Sequence, residues 1–91
     1  MHKRRTLVYS INSSLTLNQI RKYITKDSKT RAENFVNKLL GKIINLEEFP
    51  YLGVKIEANK YFLVIDKNYL IKYRLSKDTI YILTIKNIKL K

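Results

Sequence analysis

The sequence contains no cysteine, a single histidine and only seven Asp and Glu residues. Without cysteine there can be neither a disulfide nor a thiolate ligand for a metal, and one histidine cannot supply the paired imidazoles of a zinc site. No apolar run approaches the roughly 20 residues that a membrane-spanning helix needs. These absences predict a cytoplasmic protein that has no membrane segment, no metal site and no cofactor.

Acidic residues are outnumbered by 19 Lys and Arg, which gives a formal net charge of +12. A surplus of this size indicates a polyanionic or acidic partner, such as nucleic acid, a ribosome, an anionic membrane surface or an acidic protein. The alternative is that the charge serves solubility alone. The length of 91 residues predicts one domain, residues 1–91, with a modest core and little room for an enclosed small-molecule pocket.

The stretch from Tyr61 to Ile85 consists of three short runs rich in Val, Ile, Leu, Tyr and Phe. Asp66-Lys67-Asn68 and Ser76-Lys77-Asp78 separate the runs, and such residues favour tight turns. This alternation is typical of an antiparallel meander of three strands. The middle run places its side chains on two faces at period two: Tyr69, Ile71, Tyr73 and Leu75 on one face, and Leu70, Lys72 and Arg74 on the other.

The first half of the chain predicts one strand and one helix. Thr6–Ile11 alternates as a strand does, and Asn12-Ser13-Ser14 is a signal for a helix start because its side-chain oxygens can accept a free backbone N–H. From Leu15 to Lys26, apolar residues recur on one helical face. The members of that face are Leu17, Ile20 and Ile24, with Tyr23 beside them.

A second helix is predicted from Asp27-Ser28 to the segment ending in Phe49-Pro50, because proline cannot continue a helix. Its apolar stripe, broad enough to form the main helical part of the core, consists of Ala32, Val36, Leu39, Ile43 and Leu46. Gly41 inside this helix hints at close packing. Val54–Ala58 reads as a weak strand before the meander.

The predicted order is β-α-α-β-β-β(-β), an α+β fold with a helical hairpin packed on one face of an antiparallel sheet. The segment His2–Arg5 is expected to be a flexible basic lead-in, and Lys86–Lys91 a basic tail.

Several segments of this pattern resemble the RelE/ParE superfamily of bacterial toxins, the toxin halves of type II toxin–antitoxin pairs. The resemblance rests on Leu46-x-x-Phe49-Pro50-x-Leu52-Gly53, Tyr69–Leu75 and Asp78–Leu83, supported by Ile20–Ile24 and Ala32. The Phe-Pro-x-Leu-Gly corner favours the ParE-like branch. The resemblance implies a growth-inhibiting protein that binds a small acidic antitoxin, for which a groove along the helical hairpin or the sheet edge is expected.

The two branches differ in target. RelE-like members cut messenger RNA in the ribosomal A site, whereas ParE-like members inhibit DNA gyrase by binding it. The cutting branch carries an arginine after the first Tyr of a Tyr-Arg-x-x-Tyr strand, and here Leu70 takes that place, which can neither donate a hydrogen bond nor carry charge. The resemblance therefore favours a gyrase inhibitor without catalytic residues. A ribosome-dependent mRNA endonuclease is the alternative, and a basic nucleic-acid-binding module without a toxin role is the third.

The cations near the meander are the candidate target-binding residues, and an ordinary solvated surface is the alternative for them. They are Lys60, Lys72, Arg74, Lys86, Lys89 and Lys91. Tyr69 and Tyr73 could form a stacking platform for single-stranded RNA, but their period-two pattern favours the core. Ser13 and Ser14 are interpreted as helix caps rather than nucleophiles, since no histidine is near. The carboxylates Glu47, Glu48, Asp66 and Asp78 are expected to be solvated.

Overall fold

The computed structural model describes residues 4–88, which form two helices and five strands. Their bounds are β1 Thr6–Tyr9, α1 Ile11–Thr25, α2 Lys29–Ile44, a 3₁₀ turn Asn45–Glu47, β2 Val54–Glu57, β3 Lys60–Ile65, β4 Tyr69–Leu75 and β5 Thr79–Asn87. The predicted element order and the α+β class are confirmed. His2, Lys89 and Lys91, which belong to the predicted basic ends, lie outside the described residues.

The sheet has the strand order β1-β5-β4-β3-β2. Strands β2 to β5 form the predicted antiparallel meander, but β1 joins it as a parallel neighbour of β5, with Thr6 opposite Thr79 and Tyr9 opposite Ile82. The sheet is therefore mixed, with this one parallel pair added to the expected antiparallel strands. Turn signals in a sequence predict pairing only between consecutive strands. They do not predict the pairing of β1, because its partner lies some seventy residues further along the chain.

The core lies between α2 and one face of the sheet. The predicted stripe of α2, from Ala32 to Leu46, is buried, and so are Ile71, Tyr73 and Leu75 of β4. Tyr69 is half-buried beside them. Helix α1 contributes less, since Leu17, Ile20 and Ile24 are half-buried while Tyr23 is exposed. The apolar stripe of α2 and the period-two pattern of β4 thus predicted correctly which face of the helix packs against which face of the sheet.

Helix α1 begins four residues earlier than the sequence predicts, at Ile11. Its N-cap is Ser10, whose Oγ accepts the backbone N–H of Ser13 at 3.0 Å, so the expected start at Asn12-Ser13-Ser14 is wrong. Ser13 is fully buried, with its Oγ 3.0 Å from the carbonyl oxygen of Ser10 and 3.2 Å from that of Ile82. Ser10 Oγ also lies 2.9 Å from the carbonyl oxygen of Leu83. These bonds fasten the start of α1 to β5, which sequence spacing cannot indicate.

The Phe-Pro-x-Leu-Gly corner is held in place by one buried tyrosine of β4. Tyr73 Oη donates to the carbonyl oxygen of Pro50 and accepts the N–H of Gly53, each at 2.9 Å. Burial raises the pKa of this hydroxyl, so it remains protonated and able to donate. The Tyr73 ring stacks on that of Tyr61, with the centroids 5.5 Å apart. The corner motif and the tyrosine of β4 therefore form one structural unit.

Replacing Tyr73 by Phe is expected to lower the free energy of unfolding by about 2 kcal/mol, because the Pro50 carbonyl and the Gly53 N–H lose their partner. Chemical denaturation of the variant and the parent measures this difference. Tyr23→Phe is the matched control, since Tyr23 is exposed on α1, and it should change stability by less than about 0.5 kcal/mol. Equal losses in the two variants would contradict the role of the hydroxyl.

The turn between β3 and β4 brings a carboxylate to the helical layer. Asp66 and Lys67 have φ angles of 54° and 63°, and the N–H of Asn68 donates to the carbonyl oxygen of Ile65 at 3.1 Å, as in a type I′ turn. One carboxylate oxygen of Asp66 lies 2.6 Å from Lys42 Nζ and the other 3.3 Å from Lys38 Nζ. Asp66 is exposed, as expected, but it also connects this turn to α2, which the sequence did not indicate.

A pH-dependent part of the stability is expected from this contact. The hydrogen bond from Lys42, with the neighbouring Lys38, lowers the pKa of Asp66 from its ordinary value of 3.8. A lowered pKa in the folded state stabilises the protein above about pH 4 and ceases to do so as the pH falls through the folded-state value. The melting temperature of the parent should therefore exceed that of Lys42→Met at pH 7, and the gap should narrow below pH 4. A gap that is constant with pH would exclude this linkage.

Gly41 does not mark a close contact. It is exposed on α2, and a Cβ added there would meet no atom within 4 Å. The predicted tight packing at this position is wrong, since a glycine in a helix can simply be tolerated.

Candidate functional site

Within residues 4–88 no helix or strand covers the sheet face opposite the helices. The strand register orders the side chains of this face in three rows across β3, β4 and β5. We name these nine residues the open face. The rows are Lys60–Arg74–Tyr81, Phe62–Lys72–Thr84 and Val64–Leu70–Lys86. The alternation of buried and exposed residues along β4 fixes which side chains point there, because neighbours along a strand point to opposite faces.

Four of the six predicted target-binding cations lie on the open face. Lys72 and Arg74 alternate along the central strand, Lys60 is directly opposite Arg74, and Lys86 is in the neighbouring row. The other two, Lys89 and Lys91, lie outside the described residues. Like charges directly opposite each other destabilise a sheet, so this arrangement is not one that folding itself favours.

Little negative charge balances these cations within the described chain. Lys60 Nζ lies 3.3 Å from Glu57 Oε1, an ion pair with both side chains substantially exposed. The three rows themselves contain no Asp or Glu. A cluster of Lys and Arg with so little opposite charge beside it attracts anionic groups and raises the rate at which an acidic partner arrives.

Two aromatic rings accompany the cations. The Arg74 guanidinium lies 4.9 Å from the centre of the Tyr81 ring, which is half-buried on the open face, and Phe62 is half-buried in the next row. Tyr69 and Tyr73 point to the core, as the sequence favoured, and cannot form the alternative stacking platform. The sequence analysis did not predict that Phe62 lies on the open face, although its spacing of two residues from Lys60 places both on the same side of β3.

Leu70 occupies the third row between Val64 and Lys86. It is half-buried on the open face, at the position where the resemblance to the cutting branch would require an arginine. The face can therefore hold anionic groups through Lys and Arg, while Leu70 offers only an apolar contact.

A second surface is a groove of about 500 Å³ between α1 and the ends of β4 and β5. Its lining residues are Thr16, Gln19, Ile20, Tyr23, Ile24, Tyr69 and Asn87. Ile11 and Leu15 extend the exposed apolar side of the same helix, being 81% and 55% exposed. Helix α1 contains Arg21 and Lys22 and no acidic residue. This surface is apolar with basic surroundings.

Residues 4–88 contain neither a cluster of metal-binding side chains nor a helix able to span a membrane. No group of three or more His, Asp and Glu side chains in this part of the chain is placed to hold a metal ion. Neither helix described there is long and apolar enough to cross a membrane.

Comparison with known proteins identifies relatives at the level of family and fold. The family model described as the ParE toxin of the type II toxin–antitoxin system parDE matches residues 15–87, which run from α1 to the last residue of β5. A solved chain of the chromosomal ParDE TA system from P. aeruginosa superposes with a TM-score of 0.80 at 15% identity, covering 94% of this chain and 98% of that one. No curated protein sequence matches.

Proposed function

The chain belongs to the ParE toxin family of type II toxin–antitoxin systems, and from this premise we propose that it inhibits bacterial growth by binding DNA gyrase. We further propose that the open face makes the contact and that a small acidic antitoxin neutralises the protein. The observation that carries the proposal is the placing of Lys60, Lys72, Arg74 and Lys86 on one uncovered sheet face. Such a face suits a macromolecule with acidic or phosphate groups.

Binding rather than cleavage fits the chemistry of this face. Cutting RNA without a metal depends on donors that stabilise charge at the scissile phosphate, and Leu70 supplies none. Lys72 and Arg74 nevertheless lie close to Leu70 on β4, and this proximity keeps a ribosome-dependent mRNA endonuclease as the second candidate.

Expression of the protein in bacteria tests the gyrase proposal. We expect growth to stop and a reporter plasmid extracted from the cells to become relaxed, because gyrase introduces negative supercoils. A plasmid whose topology is unchanged in arrested cells would contradict gyrase as the target. Unimpeded growth at high expression would contradict the toxin role altogether and favour a basic nucleic-acid-binding module.

The groove at α1 is the proposed contact for the antitoxin. An amphipathic helix or strand could cover Ile11, Leu15 and Tyr23, and acidic side chains on it would meet Lys22. Arg21 on the same helix already faces Glu33 of α2, with Nε 3.9 Å from Oε1. We expect the open reading frame beside the gene to encode a small acidic protein that co-purifies with this one and restores growth. A gene with no such neighbour would count against this partner.

A further inference from the structure

Two adjoining cavities lie at the end of the sheet that holds the β2–β3 and β4–β5 turns. One has a volume of about 540 Å³ and the other about 280 Å³. Arg5, Tyr51 and Lys77 line both, so these three side chains form the common wall. The Arg5 guanidinium lies 5.6 Å from the centre of the Tyr51 ring. We name the pair the corner site.

The sequence predicts that Arg5 belongs to a flexible lead-in, but in the structure this residue packs against the rest of the protein. It is half-buried, and its Nε donates to the carbonyl oxygen of Lys77 at 3.3 Å. Its Nη1 is buried and has no hydrogen-bond partner in the described part of the chain. A buried donor without a partner is unfavourable, and the same guanidinium lines both cavities, where an acceptor can approach it.

The smaller cavity has the chemistry of an anion site. Besides the common wall, it is lined by Asn59 and Ser76, whose side chains carry donor groups, and by Tyr61 and Leu75. Two cations and several neutral donors therefore surround it, and none of these lining residues is a carboxylate. The planar guanidinium of an arginine matches the two oxygens of a carboxylate.

The larger cavity is suited to an apolar group. Phe49, Tyr51 and Leu52 line it and are 55%, 64% and 54% exposed, which places three large apolar side chains in contact with solvent within four residues. Exposed patches of this kind mark binding sites. Glu47 and Glu48 also contribute to the lining. Their charge disfavours a polyanion such as a nucleotide, which leaves a neutral apolar body as the better occupant.

We infer that the corner site binds a polypeptide segment in which a carboxylate adjoins a large apolar side chain. The carboxylate lies between Arg5 and Lys77, and the apolar side chain enters the larger cavity beside Phe49 and Leu52. A second copy of this chain is disfavoured as the occupant, because both copies carry a net charge of +12. The segment belongs to the acidic antitoxin, and in this respect the inference rests on the proposed function.

Two synthetic peptides test the corner site directly. Both are acetylated and end in Ala-Ala-Phe, one with a free terminal carboxylate and the other amidated. Each is titrated into the full-length, ¹⁵N-labelled protein by NMR. We expect the carboxylate peptide to shift the amide signals of Tyr51, Ser76 and Lys77 and to bind about tenfold more tightly than the amide, since a charge-assisted hydrogen bond has about that effect. Equal binding of the two peptides, or shifts confined to other residues, would overturn the inference.

Arg5→Gln and Lys77→Gln should each remove most of the preference for the carboxylate peptide. Lys67→Gln is the matched control, because it loses the same charge in the exposed turn at the opposite end of the sheet. Lys67→Gln should leave the preference for the carboxylate peptide unchanged. An equal loss of preference in this control would show that overall charge is the cause, and the inference about the corner site would then be wrong. The amidated peptide reports on folding, since its binding to the larger cavity should persist in all three variants.

The antitoxin complex separates this inference from the proposed function. Arg5→Gln and Lys77→Gln should weaken the complex about tenfold while growth arrest by the free protein is unchanged. If the parent does not arrest growth but still prefers the carboxylate peptide, the proposed function is wrong and the corner site remains. If growth stops and both variants bind the antitoxin with undiminished affinity, the proposed function is supported. The corner site is then not an antitoxin contact.

Discussion

Reversing two charges on the open face, with Lys72→Glu and Arg74→Glu combined, should raise the protein concentration that half-inhibits gyrase by at least about 30-fold. The two side chains alternate on β4 and lie at the centre of the cationic rows. Losing charge pairs at an interface costs about 2 kcal/mol or more, and each 1.4 kcal/mol is a factor of ten. A supercoiling assay with purified gyrase measures the change.

Lys26→Glu combined with Lys29→Glu is the matched control for this reversal. Both residues are exposed at the connection between α1 and α2, and the pair changes the net charge by the same amount. We expect an effect of less than about threefold that shrinks with added salt, because only long-range attraction is altered. The reversal at Arg74 places opposite charges across from each other at Lys60, so the variant should fold. Equal effects of the two pairs would show that overall charge, and not the open face, determines inhibition.

Gly53→Ala should lower the free energy of unfolding by about 3 kcal/mol. A Cβ at this position would overlap the carbonyl oxygen of Phe62 and lie 2.7 Å from Tyr73 Oη. The corner would have to move away, which combines an overpacking cost of about 1–3 kcal/mol with the weakening of the Tyr73 hydrogen bonds. In thermal unfolding this corresponds to a melting temperature lower by roughly 15 °C for a domain of this size.

The same substitution at the other glycine of the chain should have the opposite sign. Gly41 is exposed inside α2 with open space around it, so Ala there should stabilise the protein by up to about 1 kcal/mol through helix propensity alone. The pair controls for any general effect of exchanging glycine for alanine. If both variants lost stability to a similar extent, the close approach at Gly53 would not be the cause.

Those parts of the fold that depend on local pattern could be predicted from the sequence. The stripe from Ala32 to Leu46 identified the helix face in the core, and the alternation from Tyr69 to Leu75 identified both faces of the central strand. The predicted cations Lys72 and Arg74 followed from the same alternation. These inferences succeed because side-chain direction repeats at fixed periods along helices and strands.

Features that join distant segments could not be predicted in this way. Arg5, Tyr51 and Lys77 meet at the corner site from three separate parts of the chain, and none of them follows a pattern with the others. Asp66 reaches α2 only because the hairpin turn places it there. The cap of α1 was misplaced because the deciding contact, from Ser10 to the carbonyl oxygen of Leu83, depends on β5.

Purified protein added in parallel to a gyrase supercoiling reaction and to translating ribosomes with a defined message tests the central claim most directly. If the open face acts by binding alone, supercoiling should be inhibited and primer extension should find the message intact. Transcripts severed in the ribosomal A site, with supercoiling unaffected, would contradict the account.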